Sequence, residues 1–181
     1  MRRVVVTGIG VLSPIGNNQQ DFLNGLQQGI SGAGLITRFD ASLFKTRFAC
    51  ELKNFNPEDF LDRKEARKLD PFAQYALVVA EEAMKDSGIE LEKVNRMKFG
   101  VIWGSGIGGF YTLETDISEA ALLTGPPRYS PFLIPKLISD IAPGHISIKY
   151  GLMGINYGTV SACASSSHAI SNAYDYIKYG K

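Results

Sequence analysis

Apolar residues along this chain occur in two patterns. In some segments they are consecutive or nearly so, and in others they recur every three or four residues. The run over residues 3–8 predicts a strand that is buried on both faces of a mostly parallel sheet, and residues 98–103 and 156–160 predict two further strands. Stretches with helical spacing lie between these runs. The alternation of such strands and helices predicts an α/β fold.

Proline and cap residues set the ends of the predicted helices. Asp70-Pro71 is typical of the start of a helix, here predicted over residues 72–84. Pro143-Gly144 interrupts the apolar pattern of residues 136–150, and proline is unfavourable inside a helix. Two short helices are therefore expected to meet near Ala142.

The composition excludes several classes of protein. With 45% hydrophobic and 20% charged residues, the chain is predicted to form one globular domain over residues 1–181. A net charge of +1 argues against a nucleic-acid-binding protein, and no apolar run reaches the roughly 20 residues of a membrane span, so a cytoplasmic protein is expected. Two cysteines are too few for a disulfide framework or a cysteine-rich zinc site, and no metal site is predicted. One of them, Cys50, is interpreted as a packing residue.

The other cysteine lies where a predicted strand gives way to a helix of small residues. Residues 158–168 read GTVSACASSSH, which places Cys163 at the first turn of that helix. There the unpaired N–H groups of Ala164, Ser165 and Ser166, together with the helix dipole, favour the thiolate, which is the nucleophilic form. The pattern alone leaves a second interpretation open, an inert cysteine that packs in the interior.

A glycine-rich segment, residues 104–109, follows the second predicted strand and is called the glycine turn below. Its sequence GSGIGG matches the G-x-G-x-x-G pattern of dinucleotide-binding proteins, but no acidic residue about 20 positions further on completes that fingerprint. A close approach of neighbouring backbone explains the same glycines. Both interpretations stay open at this point.

Charged residues and histidines give weaker signals. Residues 63–68, called the basic turn below, are the most basic segment and are interpreted from composition alone as a solvated charged turn. His168 follows Cys163 by five positions, roughly 140° around a helix, so the two side chains are expected on different faces. His145 lies on the preceding helix. Neither histidine is a convincing base for the thiol, and both are interpreted as structural.

Six motifs together resemble those of a known family. They are VVVTGIG at residues 4–10, RKEARKLD at 63–70, GSGIGG at 104–109, SPF at 130–132, GH at 144–145 and SAC at 161–163. In this order, and over the whole chain, they are similar to the motifs of the beta-ketoacyl-acyl-carrier-protein synthases. The resemblance is strongest to synthase II, the elongating condensing enzymes of fatty acid synthesis.

The resemblance implies a thiolase-like fold with α-β-α-β-α layers, of which this chain is most of the first half, in a homodimer. It implies that Cys163 accepts an acyl group from acyl carrier protein as a thioester, and that its backbone N–H is one oxyanion-hole donor. Malonyl carrier protein then loses CO2, and its carbanion attacks the thioester to give 3-oxoacyl carrier protein. No cofactor is implied.

Other residues take implied roles from the motifs that they match. Lys64, Arg67 and Lys68 match the family's basic surface for the acidic carrier protein, which replaces the interpretation as a solvated turn. Four apolar positions match residues that line the family's acyl pocket, three of them in a wall that the partner subunit contributes. They are Ile107 and, in that wall, Phe132, Leu133 and Ile134.

The chain departs from the family in its length. Family members are much longer, and their two catalytic histidines, a supporting lysine and the second oxyanion donor lie beyond residue 181. The chain is therefore expected to be the N-terminal segment of a longer enzyme and to be inactive alone. Two alternatives stay open: a polyketide-type ketosynthase with the same cysteine motif, and a noncatalytic truncated dimerisation or partner module.

Overall fold

The computed structural model describes residues 2–181, all but the first residue of the predicted segment. Within these residues the helices are α1 (Gln19–Gln27), α2 (Arg63–Ala66), α3 (Pro71–Ser87), α4 (Phe110–Leu122), α5 (Leu133–Leu137), α6 (Ile141–Tyr150) and α7 (Ser165–Tyr179). The strands are β1 (Gly34–Leu35), β2 (Phe48–Ala49), β3 (Val101–Gly104) and β4 (Asn156–Thr159). No helix in this described part combines the length and the apolar character that crossing a membrane requires.

Strands β3 and β4 pair in parallel, with Val101 opposite Asn156 and Gly104 opposite Thr159. A parallel pair needs a crossover connection, which helices α4, α5 and α6 supply. Because the two strands run in the same direction, their carboxyl ends meet at one edge of the sheet. That edge carries the glycine turn after β3 and Cys163 after β4. Strands β1 and β2 form a separate antiparallel pair.

The buried core lies where α3 packs against α6, and α6 in turn packs against the β3–β4 sheet. Ala76 on α3 and Ala142 on α6 are fully buried, and small side chains at these positions let the two helices approach closely. Leu77 is only 1% exposed and is among the largest side chains of this core. Dense apolar packing therefore fixes α3 against α6.

Helix α3 begins at the predicted cap and covers the predicted residues 72–84, and it continues to Ser87. The carboxylate of Asp70 accepts a hydrogen bond from the N–H of Phe72 at 3.1 Å, and Gly88 follows the last residue of the helix. The second carboxylate oxygen accepts a hydrogen bond from the N–H of Thr112 at 2.8 Å, although Asp70 is buried. The same cap residue thus joins α3 to the first turn of α4.

Residues 3–8 form no strand, so this prediction was wrong. The N-terminal segment instead runs along α3, where the N–H groups of Ile9 and Val11 donate to the carboxylates of Asp86 and Glu82 at 2.9 and 2.7 Å. No strand within the described residues pairs with this segment, and a strand needs such a partner for its backbone hydrogen bonds.

The helix break predicted near Ala142 does not occur. Helix α6 runs without interruption from Ile141 to Tyr150, and Pro143 is its third residue. N–H groups in the first turn of a helix have no partner within it, so a proline there removes no hydrogen bond. The chain breaks earlier instead, between α5 and α6.

Candidate active site

Cys163 lies at the edge of the sheet where both parallel strands end. Strand β4 ends at Thr159, Ala162–Ala164 form a single 3-10 turn, and α7 begins at Ser165. The side chain of Cys163 is exposed. The strand-to-helix position predicted for this thiol is therefore observed, although the residue precedes α7 and does not belong to its first turn. Residues 161–165 are called the cysteine turn below.

A buried serine holds the cysteine turn in a strained conformation. Ala162 has a φ of 49°, a left-handed value that is uncommon for a residue with a side chain. The hydroxyl of Ser165, which is 3% exposed, accepts a hydrogen bond from the N–H of Ser161 at 2.9 Å and donates one to the carbonyl of Ala162 at 2.8 Å. The hydroxyl of Thr159 donates to the carbonyl of Ser165 at 2.8 Å. These bonds fix the backbone on both sides of the thiol.

Two of the three N–H groups predicted to face the thiol have other partners. The N–H of Ala164 donates to the carbonyl of Ser161 at 3.0 Å, and the N–H of Ser165 donates to the carbonyl of Ala162. Both bonds close the 3-10 turn. The prediction was wrong for these two groups because it placed Cys163 inside the helix, whereas a separate turn precedes α7.

The glycine turn lies directly beside the cysteine turn. The N–H of Ser105 donates to the carbonyl of Thr159 at 3.2 Å, which extends the pairing of the two strands. Gly104 faces the start of α7 so closely that a Cβ atom there would lie 2.5 Å from the backbone N and Cα of Ser166. Gly109 faces the backbone of α5 in the same way. These glycines admit neighbouring backbone, which supports the packing interpretation over the dinucleotide one.

The four positions matched to an acyl pocket lie on two adjacent segments. The N–H of Gly109, at the end of the glycine turn, donates to the carbonyl of the last residue of α5 at 2.8 Å. Ile107 in this turn is 70% exposed. Phe132 and Ile134 at the start of α5 are also exposed, and Leu133 between them is half-buried. The structure thus leaves most of this apolar surface open next to the cysteine turn.

The basic turn consists of α2 and the two residues after it. Ala66 and Leu69 are buried in the core, which directs the charged side chains of this segment outward. Arg63 pairs with Glu58 at 3.3 Å. Three other cations of the basic turn are exposed, and they are Lys64, Arg67 and Lys68.

The two histidines lie in different surroundings. His145 is half-buried on α6, where burial lowers its pKa and the negative charge of Glu65 opposes that effect. His168 is exposed on α7, and its Nδ1 lies 2.6 Å from the hydroxyl oxygen of Ser161. Sequence reasoning missed this bond because it compared His168 only with Cys163. No spacing in the sequence indicates it, because Ser161 lies outside α7 and reaches His168 only through the closure of the turn.

Neither of two open cavities is lined by the cysteine turn. One, of about 320 Å³, lies against β4 and α7, and the other, of about 380 Å³, lies between α1 and the segment that follows β2. Among the side chains of residues 2–181, no group of three or more histidines, cysteines or carboxylates could hold a metal ion.

Comparisons with known proteins agree over nearly the whole chain. The family model described as "Beta-ketoacyl synthase, N-terminal domain" matches residues 1–181. The 3-oxoacyl-[acyl-carrier-protein] synthase 2 of Synechocystis sp. is 44% identical over 179 residues, which are 99% of this chain and 43% of that protein. The protein of the same name from Coxiella burnetii is 46% identical over 172 residues, 95% of this chain and 41% of the relative. The chain thus spans less than half the length of these relatives.

A solved structure extends the likeness to the fold. The ishigamide ketosynthase/chain length factor aligns with a TM-score of 0.90 at 28% identity, over 99% of this chain and 45% of that one. The thiolase-like α/β fold predicted from the sequence is confirmed by this likeness.

Proposed function

We infer, from the premise that this chain belongs to the beta-ketoacyl synthase family, that the intact protein is an elongating condensing enzyme of fatty acid synthesis. The observation that carries this proposal is the exposed Cys163, held in a fixed turn where two parallel strands end. A nucleophile on rigid backbone meets its substrate in a reproducible geometry. The curated relatives bear the name of synthases that act with acyl carrier protein, and the same partner is proposed here.

The first proposed step transfers an acyl group to Cys163. The thiolate sulfur attacks the carbonyl carbon of an acyl thioester on the carrier protein and forms a new C–S bond. The C–S bond to the carrier breaks, and the carrier thiolate takes up the proton that Cys163 lost. The tetrahedral intermediate bears negative charge on oxygen, and the backbone N–H of Cys163 is the proposed donor to it. The hydrogen bonds of the cysteine turn support this role, because they fix the backbone before the substrate arrives.

The second proposed step is the condensation. Malonyl carrier protein loses CO2, and the electron pair of the broken C–C bond forms a carbanion that attacks the acyl group on Cys163. The C–S bond to the enzyme then breaks, which releases 3-oxoacyl carrier protein and restores the thiolate. Neither His145, half-buried on α6, nor His168, bound to Ser161, is assigned to stabilising the carbanion. That role is proposed for residues outside this sequence.

The basic turn is the proposed docking surface for the acidic carrier protein. Its exposed cations lie outside the core on a short helix anchored by Ala66 and Leu69, so the positive charge has a fixed location. Opposite charge accelerates association of two proteins and is screened by salt.

Charge reversal tests this docking surface. Replacing Lys64, Arg67 and Lys68 by glutamate should weaken carrier binding at low ionic strength by roughly tenfold or more, and the loss should shrink at high salt. The matched control reverses three exposed lysines elsewhere, namely Lys45, Lys53 and Lys98. Equal affinities of the two triple variants at low salt would remove the assignment.

The remaining parts of the proposal concern assembly and location. We propose a homodimer in the cytoplasm, in which Phe132, Leu133 and Ile134 of one subunit complete the acyl pocket of the other. Ile107 lines the same pocket. The exposed apolar surface of these residues supports the proposal, because exposed apolar patches mark sites that other molecules cover.

A polyketide-type ketosynthase is the second candidate. The likeness to the ishigamide ketosynthase/chain length factor favours it, at 28% identity. The 44% identity to 3-oxoacyl-[acyl-carrier-protein] synthase 2 favours the first candidate more strongly. The two enzymes share the acyl-cysteine step and differ in their carrier proteins, so competition between a fatty-acid carrier and a polyketide carrier separates them.

Acylation of the intact protein tests the central claim. Incubation with an acyl carrier protein that bears a saturated acyl chain should add one acyl group to the protein mass. Cys163→Ala should lower this acylation by roughly a thousandfold or more, because no other residue replaces the nucleophile. The control is Cys50→Ala, which should leave acylation unchanged. Cys50 is exposed, so its interpretation as a packing residue was wrong. Native protein that takes up no acyl group would favour the noncatalytic partner module instead.

A further inference from the structure

The cysteine turn is tied to α7 at two points, and both involve Ser161. Its N–H donates to the hydroxyl of the buried Ser165, at the start of the helix. Its hydroxyl lies 2.6 Å from Nδ1 of His168, three residues further along and on the exposed side. The proposed acyl-transfer function uses Cys163 between these two ties and gives His168 no task.

The backbone before Cys163 explains why two ties matter. The N–H of Cys163 belongs to the peptide group that joins it to Ala162, so rotation at Ala162 changes the direction of this N–H. Ala162 has a left-handed φ of 49°, and a residue with a side chain leaves this region unless its surroundings hold it there. The bonds of Ser161 and Ser165 are the contacts that hold the peptide on either side.

The bond between Ser161 and His168 forms with either proton arrangement. A serine hydroxyl can donate to an unprotonated Nδ1 or accept from a protonated one. The imidazole therefore needs no particular tautomer to act as an anchor. A ring fixed in this way does not have to exchange protons with the thiol.

We propose that His168 is a positioning residue, which holds the cysteine turn through Ser161 so that the N–H of Cys163 points at the developing oxyanion. This inference rests on the acyl-transfer function proposed above. This positioning role differs from that of a general base, because His168 fixes the direction of a backbone N–H and does not change the reactivity of the thiolate.

Two reactions of the same thiol test the proposal on the intact protein. Acyl transfer from acyl carrier protein passes through a tetrahedral oxyanion, whereas alkylation by iodoacetamide displaces iodide directly and forms none. His168→Ala should slow acyl transfer by roughly tenfold while the alkylation rate of Cys163 stays within about twofold. Ser161→Ala should give the same loss, and the double variant no larger one. The matched control is Ser167→Ala, an exposed serine next to His168.

Conservative variants of His168 add a readout that a purely structural role would not predict. Asparagine has a hydrogen-bonding atom at the position of Nδ1, whereas glutamine has one near the position of Nε2. His168→Asn should therefore recover most of the acyl-transfer rate, and His168→Gln should resemble His168→Ala.

Three other outcomes would contradict either the positioning role of His168 or the proposed acyl-transfer function. Equal losses in acyl transfer and alkylation would assign His168 to the thiolate or to folding, not to the N–H. An acylated native protein with an unaffected His168→Ala variant would remove the positioning role alone. If the native protein takes no acyl group, the proposed function fails and the positioning role fails with it.

Discussion

The core around α3 and the cysteine turn before α7 hold their positions by opposite means. In the core, buried apolar side chains such as Leu77 and Ala76 fix the helix through dense packing. In the cysteine turn, hydrogen bonds of Ser165 and Ser161 fix a strained backbone that is open to solvent. Stability and reactivity are therefore carried by different residues and should respond separately to substitution.

The accessible surface of the chain is larger than that of a typical folded monomer of the same mass. The described structure has 12245 Å² of accessible surface, whereas a folded monomer of 19.8 kDa exposes about 8,600 Å². Exposed apolar residues contribute to the excess, among them Val160 before the cysteine turn and Ile170 and Ile177 along α7. The core is thus local, and substitutions beside the thiol change contacts that the core does not use.

The largest effect on stability is expected from Leu77→Ala. This substitution removes apolar contacts and leaves a cavity at a position that is 1% exposed, so the free energy of unfolding should fall by about 3 kcal/mol. Urea unfolding of the intact protein measures the loss. The control Leu122→Ala, at a position 84% exposed, should change it by less than about 0.5 kcal/mol. Acylation of Cys163 per folded molecule should be unchanged, and a parallel fall would contradict the separation of the two regions.

A smaller but broader effect is expected from Gly104→Ala, where the two regions meet. The added Cβ would lie 2.5 Å from the backbone of Ser166, so α7 must move away from β3. The free energy of unfolding should fall by about 2 kcal/mol, and acylation of Cys163 should fall with it. At the control position Gly125, an added Cβ meets nothing within 4 Å. Native acylation in Gly104→Ala would show that the contact does not position the thiol.

Parts of the fold that depend on neighbouring residues could be predicted from sequence. Helix α3 starts at Asp70-Pro71 because the cap and the first turn are adjacent in the chain. Residues 3–8 look like a strand by the same local test, but a strand depends on a partner elsewhere. No described strand pairs with this run, and the carboxylates of Glu82 and Asp86 bind the N–H groups of Val11 and Ile9, which follow it.

The candidate site also has features that the sequence pattern predicts and features that depend on tertiary structure. The apolar run before Cys163 and the small residues after it predict a thiol between a strand and a helix, and the structure has it there. The left-handed φ of Ala162 and the bond from Ser161 to His168 have no such signal, because they depend on how the turn closes in three dimensions. The nucleophilic role proposed for Cys163 rests on the family resemblance, since the sequence pattern alone left an inert thiol open.

The smallest expected effect is a pH dependence of the free energy of unfolding, which arises from His145 on α6. Burial lowers the pKa of His145 below its ordinary value of 6.5, so the unfolded chain binds a proton more readily than the folded one. Stability should therefore fall as the pH drops through about 6.5, and it should be regained above that value. His145→Gln should flatten thermal unfolding temperatures between about pH 7.5 and pH 5.5.

A second variant sharpens this test. The charge of Glu65 favours protonated His145, so Glu65→Gln should lower the pKa of His145 further and steepen the dependence. Glu81 should not interfere, because hydrogen bonds from Lys149 and Lys85 lower its pKa and move its protonation below this range of pH. An unchanged slope in His145→Gln would mean that another group near the core carries the dependence. Because the cysteine turn takes no part in this titration, alkylation of Cys163 should follow the same pH profile in the native protein and in His145→Gln.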